Sequence, residues 1–209
     1  MPGSDEYQQS IPRPLLSDAP NIETSMYAML SALVPRTVLR FADVNARSAA
    51  LSGPVTPVPG MITYLIAEDR WEGRRGDGTW LLLSDGPWQP LTYATGYAAH
   101  SGSPGWRYKA GGGIELRGLM KRSNNGNLDD SGTLIEFATI PSAVAPGSIR
   151  PYIVATNRAT VSGVTRHTAR IEVRPSGSLV YSAEAGGGVS TSDPAWFALD
   201  GIQFSPADA

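Results

Sequence analysis

The side chains that could carry out catalysis are few and form no known catalytic pattern. The chain contains no cysteine and only two histidines, His100 and His167. Neither histidine has the H-x-x-H or H-E-x-x-H spacing of a zinc site, and the sequence has no G-x-S-x-G motif of a serine hydrolase. We therefore expect a protein that is not an enzyme and that uses no metal ion and no cofactor.

Paired carboxylates are the remaining route to catalysis, because glycosidases hold two of them across a cleft. Glu115 and Glu136 alternate with apolar neighbours, as solvent-facing strand residues do. Asp129 and Asp130 lie in a stretch of Asn, Gly, Asp and Ser that is typical of a loop. A small polysaccharide depolymerase is therefore the less favoured alternative. The acidic candidates are Glu68, Asp69, Glu72, Asp77, Asp85, Glu115, Asp129, Asp130, Glu136 and Glu184.

The loop Ser123–Ser131 partly matches a calcium-binding loop. Asn125, Asn127 and Asp129 place oxygen ligands at every second position, as an EF-hand loop does. The glycine that this motif requires at its sixth position is replaced by Asp130. A plain loop is the favoured interpretation, and ion binding stays open as the alternative.

Aromatic side chains are concentrated between residues 88 and 108. Exposed aromatic rings stack on sugar rings or anchor protein contacts, whereas buried ones fill a core. Both interpretations apply to this segment, which adjoins a loop rich in Gly, Ser and Pro. The candidate receptor-binding residues are Trp106, Tyr108, Arg107, Tyr93, Tyr97 and His100.

The composition indicates a β-rich chain with many turns. Glycine and proline number 23 and 17 among 209 residues, apolar residues make up 41%, and charged residues only 17%. These values are unlike a disordered chain or a coiled-coil rod, and glycine does not recur at every third position as in collagen. With a net charge of −2 and no run of Lys or Arg, we expect no nucleic-acid partner. No stretch approaches about 18 consecutive apolar residues, so we expect no membrane insertion.

The clearest helix is predicted over residues 21–34, and Pro35, the next residue, stops it. Apolar residues recur there at the spacing of one helical face, and a helix this short must bury such a stripe on its own chain or on other copies. Residues 1–20 contain four prolines and are predicted to be an extended arm. The candidate oligomerisation residues are Ile22, Met26, Met29, Leu30 and Leu33.

The predicted fold is mainly β and has three parts. An N-terminal arm and helix over 1–35 precede a small β connector domain over 36–86. Residues 87–209 show strands about every ten residues with turns between them, which is typical of a β-sandwich or jelly-roll head. Within the head, apolar and polar residues alternate cleanly on both sides of a Pro-Ser-Gly turn, which predicts a hairpin over 169–181 with one buried face.

Several short motifs, taken in order, resemble a known group of phage proteins. R-x-A-A at Arg47, P-x-x-G-M-x-x-Y-L from Pro57 and D-G-x-W from Asp77 follow one another in the N-terminal part. The C-terminal part adds WRYKAGGGIELRG over 106–118 and L-x-G-I-x-F from Leu199. In this order the motifs resemble tail fibre and minor tail proteins of siphophages that infect Gram-positive, especially actinobacterial, hosts.

The resemblance covers most of residues 40–205 and implies a virion protein. Members of this group are homotrimers of parallel chains, with an N-terminal segment docked on the virion and a C-terminal β head. The resemblance implies that residues 1–35 attach this chain to other tail or baseplate proteins and start trimerisation. It also implies that the head binds a host cell-wall glycan. We therefore expect a receptor-binding protein of the virion, located at the tail tip or baseplate.

Two other virion roles stay open beside this expectation. A capsid decoration or head fibre protein would have the same architecture but would be docked on the shell. A purely structural tail subunit would have the same fold without a receptor site. The capsid protein differs from the favoured function in its location, the structural subunit in its lack of receptor binding, and the depolymerase in its catalytic turnover.

Overall fold

The computed structural model describes residues 11–12, 21–52, 56–128, 134–161, 164–183 and 195–206. It is mainly β, with 45% strand and 16% helix. Contacts divide the chain into two compact units, Met1–Ser84 and Asp85–Ala209. The predicted fold class is confirmed, since a short N-terminal helix and a small β region precede a C-terminal sheet of near-closed sandwich or barrel form. The division into functional parts at residues 35 and 86 stays a prediction.

Helix α1, Ile22–Leu33, begins one residue after the predicted start. The side-chain oxygen of Asn21 accepts a hydrogen bond from the Thr24 N–H at 3.0 Å and so caps the first turn. A 3-10 turn over Val34–Arg36 follows the helix. Most of the predicted arm, residues 1–20, lies outside the described residues. No helix in the described ranges is both long and apolar enough to cross a bilayer.

The apolar stripe of α1 is largely uncovered. No residue of the helix is buried, and the side chains of Ile22, Met26, Leu30 and Leu33 are between 38% and 76% exposed. Met29 is half-buried. A helix of 12 residues is marginal in water without packing of its apolar face. Within the described residues of one chain, nothing buries this stripe.

The elements of the first unit after α1 are β1 Val38–Phe41, α2 Val44–Ala50, β2 Ile62–Leu65, β3 Arg70–Arg74 and β4 Trp80–Leu82. The four strands form one sheet in the order β1-β2-β3-β4. Strands β1 and β2 are parallel, so the chain must cross over between them, and helix α2 lies in this connection. Asp43 caps α2, because its carboxylate accepts a hydrogen bond from the Ala46 N–H at 2.7 Å.

A buried ion pair joins α2 to this sheet. Arg47 and Glu72 are both buried, and the Arg47 guanidinium contacts the Glu72 carboxylate. Arg47 also donates to the Thr63 hydroxyl at 3.4 Å and lies over Trp80, with its Cζ 4.1 Å from the ring centroid. The Nε atom of Arg70 lies 2.8 Å from the other carboxylate oxygen of Glu72. These partners neutralise charges that would be costly to bury alone.

In the described part of the chain, ten strands form the sheet of the second unit. They are β5 Gln89–Pro90, β6 Thr92–Tyr93, β7 Tyr97–Tyr108, β8 Ile114–Arg122, β9 Ile135–Thr139, β10 Arg150–Val161, β11 Val164–Val173, β12 Ser178–Ala183, β13 Trp196–Ala198 and β14 Gln203–Phe204. Their order is β5-β7-β8-β13-β10-β11-β12-β9-β6, with β14 also paired to β8. Strands β5 and β6 stand at opposite ends of this order, yet Leu91 alone separates them in the chain. The two ends of the sheet are therefore held close together, and the sheet is nearly closed.

Alternate residues of these strands fill one core. Along β8, buried residues alternate with half-buried ones from Ile114 to Met120. The predicted hairpin over 169–181 is confirmed, since β11 and β12 pair antiparallel with Ile171 opposite Tyr181 and both side chains are buried. The expectation of a single buried face is wrong, because Glu172 and Val180, which pair on the other face, are buried as well. The Tyr181 ring stacks on another core ring, that of Phe197, at a centroid distance of 5.1 Å.

Replacing Arg47 by alanine should destabilise the first unit strongly. The change removes one of the two cations that contact the buried Glu72 carboxylate. Breaking a buried ion pair costs about 3–5 kcal/mol, and the loss should lie near the lower end because Arg70 remains. Urea unfolding followed by tryptophan fluorescence measures this loss. Arg75→Ala is the control, because Arg75 is exposed and its nitrogen lies 3.8 Å from Asp77. Equal losses for the two variants would contradict a structural role for the buried pair.

Candidate functional site

Three of the predicted receptor-binding residues pack against the core. Trp106 is only 8% exposed and lies opposite Leu116 of β8 on the inner face of the sheet. Tyr108 packs edge-on against Trp106 with centroids 5.6 Å apart, and the Tyr97 hydroxyl lies 3.0 Å from the Tyr181 hydroxyl. Trp106 is therefore a core residue, and its ring is not free to stack on a sugar. The alternation of β7 turns every second side chain inward.

The other three predicted residues are accessible to different degrees. Tyr93 on β6 and His100 on β7 are exposed. The His100 ring lies 6.0 Å from that of Trp196, and its Nδ1 lies 3.4 Å from the Ser101 hydroxyl. Arg107 is half-buried, and its side chain lies among charged groups on the outer face of the sheet.

The outer face of β5, β7, β8 and β14 carries a row of aromatic and polar side chains. Arg107 pairs with Glu115 of β8, and Glu115 pairs in turn with Gln203 of β14. Trp88 lies immediately before β5 and is next to Arg107 on the other side. The group that we call the outer-face cluster consists of Asp85, Trp88, Arg107, Lys109, Glu115, Arg117 and Gln203.

Two carboxylates hold Arg107 in place. Its Nη2 lies 2.7 Å from Asp85 and 2.8 Å from Glu115, and its Nε donates a second hydrogen bond to Glu115 at 2.8 Å. The Lys109 ammonium lies 3.5 Å from Asp85 and 3.6 Å from Glu115. The other oxygen of Glu115 accepts a hydrogen bond from Gln203 at 3.3 Å. Charge-assisted contacts of this kind fix side-chain direction more firmly than neutral hydrogen bonds.

Two guanidinium groups lie over the ring of Trp88. The Cζ atoms of Arg107 and Arg117 are 4.5 Å and 4.1 Å from the ring centroid, which is within the range of a cation–π interaction. Arg117 reaches this ring from β8, where its partner on β7 is Gly105. Glycine is required at that place, because a Cβ there would lie 2.6 Å from the Gln89 carbonyl oxygen.

An irregular part of β7 positions Arg117. The register between β7 and β8 shifts around residues 101–105, so this stretch bulges from the regular ladder. Ser103 has a φ of 45°, which is uncommon for a residue with a side chain, and its carbonyl accepts a hydrogen bond from Arg117 Nε at 3.2 Å. Gly118 faces this bulge closely, since a Cβ there would lie 2.6 Å from Pro104 Cα. Bulges and positive φ angles are frequent next to functional sites.

The charges of the cluster do not cancel. The Ala110 N–H donates to Asp85 at 2.9 Å and lowers the pKa of Asp85, and the charges of Arg107 and Lys109 act in the same direction against a partial desolvation that raises it. The cluster contains three cations, which are Arg107, Lys109 and Arg117, but only two carboxylates, which are Asp85 and Glu115. In the ranges that the structure describes, Arg117 makes no ion pair, so the excess positive charge lies on Arg117.

A lysine contacts one of the candidate ligand oxygens in the loop Ser123–Ser131. The Lys121 ammonium donates to the side-chain oxygen of Asn125 at 2.7 Å. Asp129 and Asp130 lie outside the described residues. Among the residues that are described, no group of three His, Asp or Glu side chains is placed to hold a metal ion.

No protein-family model, curated protein or solved structure matches this chain. The resemblance of its motifs to phage tail proteins therefore stays a prediction. The structure does place several motif residues: Arg47 of R-x-A-A lies over Trp80 of D-G-x-W. Met61 and Leu65 of the motif between them are buried. These motif residues of the first unit are packing residues of one small fold.

Of the seven residues of the cluster, only Arg107 is among the predicted receptor-binding residues, but the sequence contains a signal for three more. In residues 106–109 and 114–117, charged residues alternate with aromatic or apolar ones. A strand assignment alone therefore places the four charged residues on the face opposite Trp106. Trp88 and Gln203 join them only through the strand order of the sheet, which local periodicity does not reveal.

Alanine substitutions should show that the Trp106 ring belongs to the core and that the Trp88 ring lies at the surface. Trp106→Ala removes a buried ring and should lower the free energy of unfolding by about 3–5 kcal/mol. Trp88→Ala removes a half-buried ring with two cation–π contacts and should cost about 1–2 kcal/mol. Chemical denaturation measures both values. A larger loss for Trp88→Ala would contradict the inward orientation of Trp106.

Substituting two glycines should show that the bulge beside Arg117 is tightly packed. Gly118 and Gly201 have φ angles of 91° and 88°, but a Cβ at Gly201 would meet nothing within 4 Å. Gly201→Ala should therefore cost only the backbone strain, about 1–2 kcal/mol. Gly118→Ala adds a collision with Pro104 and should cost about 2–5 kcal/mol in total. Thermal unfolding compares the two, and equal losses would contradict the close contact.

Asp85 should make the free energy of unfolding depend on pH in the acid range. Its folded pKa lies below its unfolded value, so it stabilises the folded state above about pH 4 and loses this effect as the pH falls through the folded pKa. Between about pH 5 and pH 2, the unfolding free energy of Asp85→Asn should therefore fall less than that of the wild type. Urea unfolding of both proteins at a series of pH values tests this. If the unfolding free energies of the two proteins depend on pH in the same way, the lowered pKa of Asp85 is contradicted.

Proposed function

We propose that this chain is a non-enzymatic structural protein of a bacteriophage virion, a tail fibre or minor tail protein at the tail tip or baseplate. In this proposal the chain is a homotrimer that attaches through residues 1–35 to other tail or baseplate proteins. Its C-terminal unit binds a host-surface polysaccharide. Besides the order of the sequence motifs, one structural observation carries the proposal: the apolar stripe of α1 has no cover among the described residues.

The uncovered stripe supports self-association. Ile22, Met26, Leu30 and Leu33 recur at the spacing of one helical face, and all four are exposed. Three parallel copies would turn this face toward a common axis, where each helix buries the stripes of the other two. Full burial of such side chains contributes roughly 1.5–3 kcal/mol each, which compensates for the marginal stability of a short helix.

A second apolar surface of the first unit, outside residues 1–35, offers a further contact for a neighbouring protein of the virion. The sheet face that carries Val38, Trp71 and Leu83 is opposite to the face on which Glu72 contacts α2, and these three side chains are exposed. The Trp71 ring packs against Tyr64 with centroids 5.0 Å apart. Contiguous exposed apolar groups of this kind are typical of protein interfaces.

The outer-face cluster supports glycan binding. It combines amide, carboxylate and guanidinium groups, which are suited to hydrogen bonding with hydroxyl groups, around the half-buried ring of Trp88. Several of these groups are held in place by ion pairs, so little ordering is needed on binding. Three such sites on one trimer would raise a weak single-site affinity through avidity.

The native mass tests the homotrimer. Analytical ultracentrifugation of the full chain should give three times the 22.1 kDa of one chain. The double variant Met26→Glu/Leu30→Glu should dissociate, because it places charges in the stripe. Ser31→Glu should stay trimeric, because Ser31 is exposed outside the stripe. A well-folded wild-type monomer would contradict the proposal.

Virion labelling and adsorption assays test location and role. Antibodies against the protein should label the tail tip of the phage that carries it, and the purified trimer should block adsorption of that phage to its host. Label on the shell would instead favour a capsid decoration or head fibre protein. Failure to block adsorption would favour a purely structural subunit, and release of new reducing ends from wall polysaccharide would favour a depolymerase.

A further inference from the structure

We infer that the outer-face cluster recognises an acidic glycan, and that Arg117 binds the carboxylate or phosphate group of this glycan. The inference rests on the proposed function, to which it adds the charge class of the ligand and the residue that recognises it. Among the described residues, Arg107 and Lys109 have carboxylate partners, whereas Arg117 has none.

Arg107 and Lys109 are already neutralised. Each of them contacts both Asp85 and Glu115 at distances between 2.7 Å and 3.6 Å. Arg117 makes a single hydrogen bond among the described residues, from its Nε to the Ser103 carbonyl. Its two terminal nitrogens therefore retain donors for a ligand, and they are arranged to bind both oxygens of one carboxylate or phosphate.

The guanidinium of Arg117 is held ready for such a ligand. The Trp88 ring on one side and the Ser103 carbonyl at its Nε restrict its position, and the side chain is half-buried. An arginine that is restrained in this way loses little rotamer freedom on binding. The irregular backbone around residues 101–105 brings the Ser103 carbonyl within hydrogen-bond distance of Arg117.

The same charges favour a glycan over a nucleic acid. A nucleic acid places phosphates close together and needs several unpaired cations, whereas the cluster has one cation in excess and two carboxylates beside it. An acidic glycan separates its charges by sugar units, which offer hydroxyl groups to Glu115 and Gln203. Uronate carboxylates and phosphodiesters share this oxyanion chemistry, so the experiment must distinguish them.

Isothermal titration calorimetry with three probes tests the inference. The probes are a hyaluronan hexasaccharide for a uronate, poly(glycerol phosphate) for a phosphate, and a chitin hexasaccharide for a neutral glycan. The wild-type protein should bind at least one acidic probe more tightly than the neutral one, with an affinity that falls as salt is added. Arg117→Gln should weaken that binding by about tenfold or more.

Lys121→Gln is the matched control, because Lys121 lies on the same face of β8 and the change removes the same charge outside the cluster. It should change the affinity by less than about twofold. Arg117→Lys keeps the charge but loses the paired donors, so its affinity should lie between those of the wild type and Arg117→Gln. Circular dichroism checks that each variant is folded, and the salt dependence of the wild type remains a test if Arg117→Gln does not fold.

The possible results separate this inference from the proposed function. Equal losses for Arg117→Gln and Lys121→Gln would show non-specific charge attraction and overturn the inference. Tighter binding of the neutral probe, unaffected by Arg117→Gln, would overturn it while supporting a glycan-binding protein. If the wild type binds none of the probes, the inference fails, and the adsorption assay then decides separately whether the protein binds its host.

Discussion

The alternation of β7 and β8 between an inner and an outer face is the constraint on which the second unit depends. Trp106 and Leu116 point into the core, whereas Arg107 and Glu115 point out of it. Because the sheet is nearly closed, its inner side chains fill a single enclosed core. A shift of one residue would bring the ion-paired groups inside and the tryptophan outside, so the register is strongly specified.

That constraint also creates the outer-face cluster. Once the apolar residues of β7 and β8 are inside, their charged neighbours must share the other face and find partners there. Asp85 and Glu115 neutralise Arg107 and Lys109, which leaves Arg117 against the Trp88 ring. The bulge around residues 101–105 interrupts the ladder at this place. Regular pairing therefore provides the scaffold, and a local irregularity orients one of its side chains.

The first unit follows a different principle, because its interior includes a buried charge pair. Arg47 and Glu72 hold α2 on the sheet, and Trp80 lies against the same guanidinium. A pair of this kind contributes little to net stability, since both charges lose their hydration, but the removal of one partner alone is costly. Helix α1 takes no part in this interior, and its apolar stripe is the basis of the proposed trimer.

Local periodicity in the sequence determined the mainly β class, the α1 helix and the hairpin over 169–181, because each depends on backbone geometry among neighbouring residues. It did not determine which aromatic side chains face outward, so the burial of the candidate residue Trp106 was decided only by the tertiary structure. Only the tertiary structure decided that Trp88 and Gln203 join Arg107, since these residues lie on strands that pair through the packing of the whole core. Sheet order depends on contacts between distant segments, which no local pattern encodes.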